Sequence, residues 1–142
     1  MRNLKHAHLV LATCCAAALA GCASINEEVT EAVGAEFQAN LTREGDPNGW
    51  GKAEISINDA VDQICTDLEV RDVSTVTAAH IHDSSGAVVV NLDRPDDDDS
   101  NDCDGSSDTL LDSIRRDPGS FYVDIHTTQY PDGAIRGRIF KE

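Results

Sequence analysis

Apolar and polar side chains alternate in seven short runs: Phe37–Leu41, Ala53–Ile57, Ile64–Val70, Val76–His82, Ala87–Leu92, Phe121–Thr127 and Ala134–Phe140. A period of two marks strands with one buried face. Between the runs lie Gly45-Asp46-Pro47-Asn48-Gly49, Asp83-Ser84-Ser85-Gly86 and Tyr130-Pro131-Asp132-Gly133, residue types that supply the backbone angles of tight turns. Thr109–Arg116 differs, with apolar residues at 110, 111 and 114. That spacing predicts a short helix ending before Pro118-Gly119. Short strands separated by turns predict an antiparallel sandwich or barrel.

Parity assigns faces. Phe121, Val123 and Ile125 form the apolar side of their strand, so Tyr122, Asp124 and His126 point the other way. Ile135 and Ile139 go inward in the last strand and leave Arg136 and Arg138 outward. With Ile81 as a core residue, His80 and His82 are outward too, although Val76 and Ala78 share their parity. The three histidines would then lie on the outer face of a sheet, with Arg136 across a hairpin from His126 within a residue or two. Cys65 alternates with Ile64 and Leu68, which places it on an outer face where the acidic 93–108 loop could fold over and bridge to it.

The first residues read differently. Arg2 and Lys5 precede an apolar run from Leu9 to Ala20, the layout of a secretory signal. The run is shorter than the ~20 apolar residues of a permanent membrane helix. It ends in Leu19-Ala20-Gly21-Cys22, which resembles a bacterial lipobox. That resemblance implies removal of residues 1–21, lipidation of Cys22 and anchoring in the bacterial cell envelope. Ala23, in place of an aspartate, implies outer-membrane sorting in a Gram-negative organism. Residues 22–35 are polar and acidic and read as the lipidated start and a tether, and residues 36–142 as the domain.

Removal of the signal takes Arg2 and Lys5 but no acid, shifting the formal charge from −15 to −17. Such acidity disfavours nucleic acid and anionic lipid headgroups as partners. About 120 residues remain, enough for one core and no second domain. Cys14 and Cys15 leave with the signal and Cys22 takes lipid, so Cys65 and Cys103 are the thiols left in an oxidising compartment, where a pair is expected to bridge. The acidic stretch Arg94–Gly105 suggests calcium but fails as an EF-hand loop. With Gly105 as the turn glycine, Leu111 falls where a bidentate glutamate belongs. It reads as a solvated acidic loop.

The series Gly51-Lys52-Ala53, Ala79-His80-Ile81-His82, Gly86 through Leu92, Tyr122-Val123-Asp124-Ile125-His126-Thr127 and Tyr130-Pro131-Asp132-Gly133-Ala134-Ile135-Arg136-Gly137 resembles the CHRD domain, the module named for the repeats of chordin. The likeness extends from about Phe37 to Phe140. It implies an all-β, immunoglobulin-like antiparallel β-sandwich or Greek-key barrel of about seven to eight strands with one short helix, and no assigned reaction. A fainter resemblance is to copper/zinc superoxide dismutase, in which a His-x-His strand and a later strand histidine hold copper with an arginine nearby. His80, His82, His126 and Arg136 echo that set, without a bridging histidine or a zinc loop.

Three neutral imidazoles on adjacent strands suit copper, zinc or nickel, because i, i+2 spacing keeps two side chains ~6.5 Å apart on one face. The alternative is a structural cluster bonded to backbone or to Asp83 and Asp124. No Ser-His-Asp order suggests a nucleophile. The leading expectation is a lipid-anchored, non-enzymatic module of the envelope that binds a protein or small ligand, with copper the one cofactor left open. The alternative is a copper-binding or redox protein using His80, His82 and His126.

Overall fold

The computed structural model describes residues 34–95 and 99–142; the signal, Cys22 and most of the tether lie outside the described residues. The eight strands are β1 (Ala35–Arg43), β2 (Trp50–Asn58), β3 (Gln63–Arg71), β4 (Val76–His82), β5 (Val88–Leu92), β6 (Asp99–Gly105), β7 (Tyr122–Thr127) and β8 (Ile135–Lys141), and a helix, α1 (Asp108–Arg116), precedes β7. All strand pairs are antiparallel and run in the order β5-β4-β7-β8-β1-β2-β3-β6. The sheet curls into a nearly closed barrel. Its concave face carries the alternating apolar residues of every long strand, from Phe37, Ala39 and Leu41 on β1 to Ile135 and Ile139 on β8.

Seven of these strands correspond to the seven alternating runs. The helix starts one residue earlier than its apolar spacing predicts, because Ser107 caps it: the Ser107 hydroxyl accepts the Leu110 N–H at 3.3 Å. Leu111 and Ile114 point into the core and Leu110 packs at its margin.

The acidic stretch departs from the expectation of a solvated loop. Asp99–Gly105 forms β6, paired with β3 so that Cys65 stands directly opposite Cys103. The two are joined by a disulfide, with Cα atoms 4.0 Å apart. No loop folds over Cys65; a strand lies beside it. Alternation could not reveal β6, because none of its side chains is buried. Backbone pairing to β3 and the covalent link hold it, and its carboxylates leave a charged edge that discourages pairing with other chains.

Parity holds where it was read. Val123 and Ile125 are buried in the core, as are Ala79 and Ile81. Val76 shares the parity of His80 yet packs against the core. The register of β4 on β7 shifts between Val76 and Ala78, and such a bulge turns the strand so that residues either side of it change face.

The β1–β2 turn is shaped locally and also brings distant chain together. Asp46 is buried, and its Oδ1 accepts the N–H groups of Asn48 (3.0 Å) and Gly49 (3.2 Å), shaping the β1–β2 turn. The N–H groups of Glu44, Gly45 and Asp46 all donate to the Ala134 carbonyl, at 3.1, 3.1 and 2.9 Å. This ties the end of β1 to the β7–β8 hairpin and delivers Glu44 to the neighbourhood of Arg136.

Reduction of the disulfide, or Cys103→Ser, should release β6 while the barrel stays folded. Hydrogen exchange should then speed up across 99–105 and stay slow in β1, β2 and β8. Global stability should fall by at most roughly 4 kcal/mol, the loop-entropy value for such a link. Collapse of protection throughout the sheet would show that β6 is integral to the core.

Candidate metal centre

The face of β4, β7 and β8 turned away from the core carries the three histidines. His80 stands directly opposite Asp124, Ala78 opposite His126 and His82 opposite Tyr122 across β4 and β7; Asp124 in turn stands opposite Arg136 on β8. His126 is therefore diagonal to His80, within reach of a large ring. Ring centroids lie 5.5 Å apart for His80–His82, 5.2 Å for His80–His126 and 6.5 Å for His82–His126. One nitrogen from each ring lies within 4.8 Å of the other two. Nitrogens bound to one ion at ~2 Å in tetrahedral geometry are about 3.4 Å apart, so small ring rotations suffice to converge them.

Local backbone orients two of the rings. His82 Nδ1 lies 3.0 Å from the Gly86 carbonyl and His126 Nδ1 lies 2.9 Å from the Pro131 carbonyl. A carbonyl oxygen only accepts, so both Nδ1 atoms carry a proton and donate it, and in the neutral ring the lone pair sits on Nε2. Metal-binding histidines are commonly held this way, by a backbone carbonyl on the far nitrogen. The Gly86 carbonyl is placed by a turn that Asp83 organises: its Oδ1 accepts the Ser85 N–H (2.8 Å), the Ser85 hydroxyl (2.6 Å) and the Ala87 N–H (3.1 Å). The Ser85 hydroxyl first, and these backbone donors with it, hold the Asp83 carboxyl below the ordinary carboxylate range. Gly86 itself has φ +87°, a left-handed angle that disfavours a side chain.

His80 Nδ1, His82 Nε2 and His126 Nε2 are each buried and have no hydrogen-bond partner. Burial lowers the His80 pKa below its ordinary value, and the positive charge of neighbouring His126 and His82, when protonated, adds to that; Asp124 opposes it. The ring is thus kept neutral, as a ligand must be.

Beside the histidines lies a charged network that the outward assignment of Asp124 did not foresee. Asp124 is buried, its side chain only 2% exposed. Its Oδ2 accepts from Arg136 Nη2 at 2.6 Å and lies 3.8 Å from His126 Nε2. Arg136 also donates to Glu44 (3.1 Å) and lies over the Tyr122 ring at 4.6 Å, while Tyr122 stacks on His82 with centroids 4.9 Å apart. Burial opposes the Arg136 charge, but the hydrogen bond and attraction of Asp124, with Glu44, outweigh it and raise its pKa. The arginine close to the histidines is therefore balanced by two carboxylates and does not present a bare positive charge to an incoming cation.

Parity thus brought together all the residues singled out at this face, His80, His82, His126 and Arg136. Missed were the burial of Asp124, the stacking of Tyr122 and the arrival of Glu44. Asp124 had a signal, since it shares a face with His126 on one strand and precedes Arg136 by twelve positions across a hairpin. Glu44 had none, because only the β1–β8 pairing brings it near.

A strand scaffold with this spacing defines a class of all-β module, and comparison gives the family. The CHRD domain family model matches residues 32–139. The chain belongs to the CHRD domain family, and membership generally supports a non-enzymatic module. Neither a curated protein nor a solved structure matches the chain. The fainter likeness to superoxide dismutase gains no support from these comparisons. Among the described residues, no helix is long and apolar enough to cross a membrane.

The desolvated His80 makes stability pH-dependent with a definite sign. Its folded pKa lies below the ordinary 6.5, so the unfolded chain binds the proton more readily. Stability from this group is complete above pH 6.5 and is lost as pH falls from there to the lower folded value. Thermal melts of metal-free protein should show a falling midpoint over that window, with a smaller fall in His80→Gln. An identical pH profile in the variant would contradict the assignment.

Proposed function

We propose that this CHRD domain is a non-enzymatic, lipid-anchored module of the bacterial envelope that holds one transition-metal ion through His80, His82 and His126. Two observations carry the reading: each of the three imidazoles offers a nitrogen within 4.8 Å of the other two, and each ring has a buried nitrogen with no hydrogen-bond partner. Unpaired buried polar atoms are costly, and native proteins rarely leave several together. A metal ion satisfies all of them at once. Copper is the first candidate, since divalent copper binds nitrogen sites most tightly in its row, followed by nickel and zinc. Export and anchoring rest on the apolar run and the Leu19-Ala20-Gly21-Cys22 sequence, with the outer membrane as the destination in a Gram-negative cell.

Metal analysis of protein purified without a histidine tag, followed by copper and zinc titration of the stripped form, tests the site. A single equivalent should bind, and His80→Ala/His82→Ala/His126→Ala should abolish it. Equal uptake by that triple variant would move the ion to the acidic β6 edge. No uptake by the native chain would leave the histidines as a structural cluster and favour a module that recognises a protein or other small ligand. Anchoring is tested separately: Cys22→Ser should appear as soluble or uncleaved protein, and unchanged membrane fractionation would end that part of the reading.

A further inference from the structure

The Asp124 carboxylate sits in an electrostatic arrangement that the histidines alone do not explain. Because His126 Nδ1 donates to the Pro131 carbonyl, the lone pair of the neutral ring is on Nε2. That nitrogen lies 3.8 Å from Asp124 Oδ2 with no hydrogen bond between them. Acceptor thus faces acceptor inside a buried site. The other oxygen, Asp124 Oδ1, is also buried without a partner. A carboxylate so enclosed is stable only if a cation offsets its charge.

Arg136 supplies that charge by a single contact. Its Nη2 reaches Asp124 Oδ2, its Nη1 goes to Glu44, and its Nε is buried and unbonded. The two-pronged arginine–carboxylate geometry, the strong form of this pair, is not used. If Asp124 turned toward the histidines, Arg136 would keep Glu44 and the Tyr122 ring as partners. Gly133, which has φ +131°, lies beside the carboxylate, where an added Cβ would come 3.3 Å from Asp124 Oδ1.

We infer that Asp124 is the fourth ligand of the histidine site, exchanging Arg136 for the ion when metal binds, so that the donor set is three nitrogens and one oxygen. This rests on the proposed metal site and specifies it. Three neutral imidazoles leave a divalent ion with its full charge, whereas the carboxylate cancels half of it. A hard, anionic oxygen also selects divalent copper or zinc over cuprous ion, which prefers softer donors. Arg136 acts as a placeholder, keeping the carboxylate charged and aimed beside His126 while the ion is absent.

The test compares native protein, Asp124→Asn and Arg136→Met, each stripped and reloaded. Affinities are measured by chelator competition for Cu(II), Zn(II) and, anaerobically, Cu(I); the Cu(II) forms are examined by electron paramagnetic resonance. Asp124→Asn should weaken both divalent ions by at least roughly 10- to 100-fold, the range for losing even an outer-shell partner of a metal ligand. Its copper spectrum should shift and its Cu(I) affinity should hold. Arg136→Met should act in the opposite direction, tightening divalent binding because the carboxylate no longer has a competing partner. An unchanged Cu(II) spectrum in Asp124→Asn would overturn the inference, as would equal loss of Cu(I) and Cu(II) affinity or weaker divalent binding in Arg136→Met. If Asp124→Asn does not fold, Asp124→Asn/Arg136→Gln, which removes both charges, carries the same comparison. A native chain that binds no ion would sink the histidine site itself; native-like binding by Asp124→Asn would sink the fourth ligand alone.

Discussion

Pairing of β4 with β7, in the register that sets His80 against Asp124 and Ala78 against His126, is the constraint from which the candidate site follows. Side chains alternate with a period of two, so a slip of one residue would send the imidazoles to the core and Ala79 and Ile81 to solvent. The hydrophobic effect therefore enforces the geometry of a polar site. Ala79, Ile81, Val123 and Ile125 are all buried on the opposite face, and burying a branched aliphatic side chain is worth ~1.5–3 kcal/mol. No interaction among the histidines needs to be strong enough to assemble them.

The barrel handles its two edges differently. β5 pairs only with β4, whose register shifts at Ile81 and His82, and the bulge lies at the end of the strand that carries His82. Bulges at such places re-aim a side chain. At the other edge, β6 contributes no apolar burial and is held by backbone pairing and by Cys65–Cys103. The disulfide thus secures a segment that packing cannot, and the core is built by the other seven strands and α1. Site and clamp lie on opposite ends of the strand order, so their energetics should be separable.

Around the histidines, polar groups are placed by backbone as much as by side chains. The Gly86 and Pro131 carbonyls choose the tautomers of His82 and His126. The two turns that present these carbonyls are short and internally bonded, one through Asp83 and one through the Thr127 and Tyr130 contacts. Arg136 links the network to β1 through Glu44, and its stack on Tyr122 reaches His82 in turn. A change at Glu44, far along the chain, should therefore be felt at the imidazoles.

Alternation in the sequence was sufficient to determine seven strands, the inward faces of β7 and β8 and the outward placement of His80, His82, His126 and Arg136, because burial of apolar side chains leaves a period-two record. The helix was legible for the corresponding reason, with its apolar spacing at 110, 111 and 114. Strand β6 left no such record, since a strand that buries nothing is written only in its backbone bonds and in one cysteine. The depth of Asp124's burial, the tautomers of two histidines and the contact of Glu44 with Arg136 were visible only in the folded structure. The tautomers depend on turn carbonyls four and five residues along the chain, whose placement alternation does not record, and the burial of Asp124 and the Glu44 contact depend on which strands become neighbours.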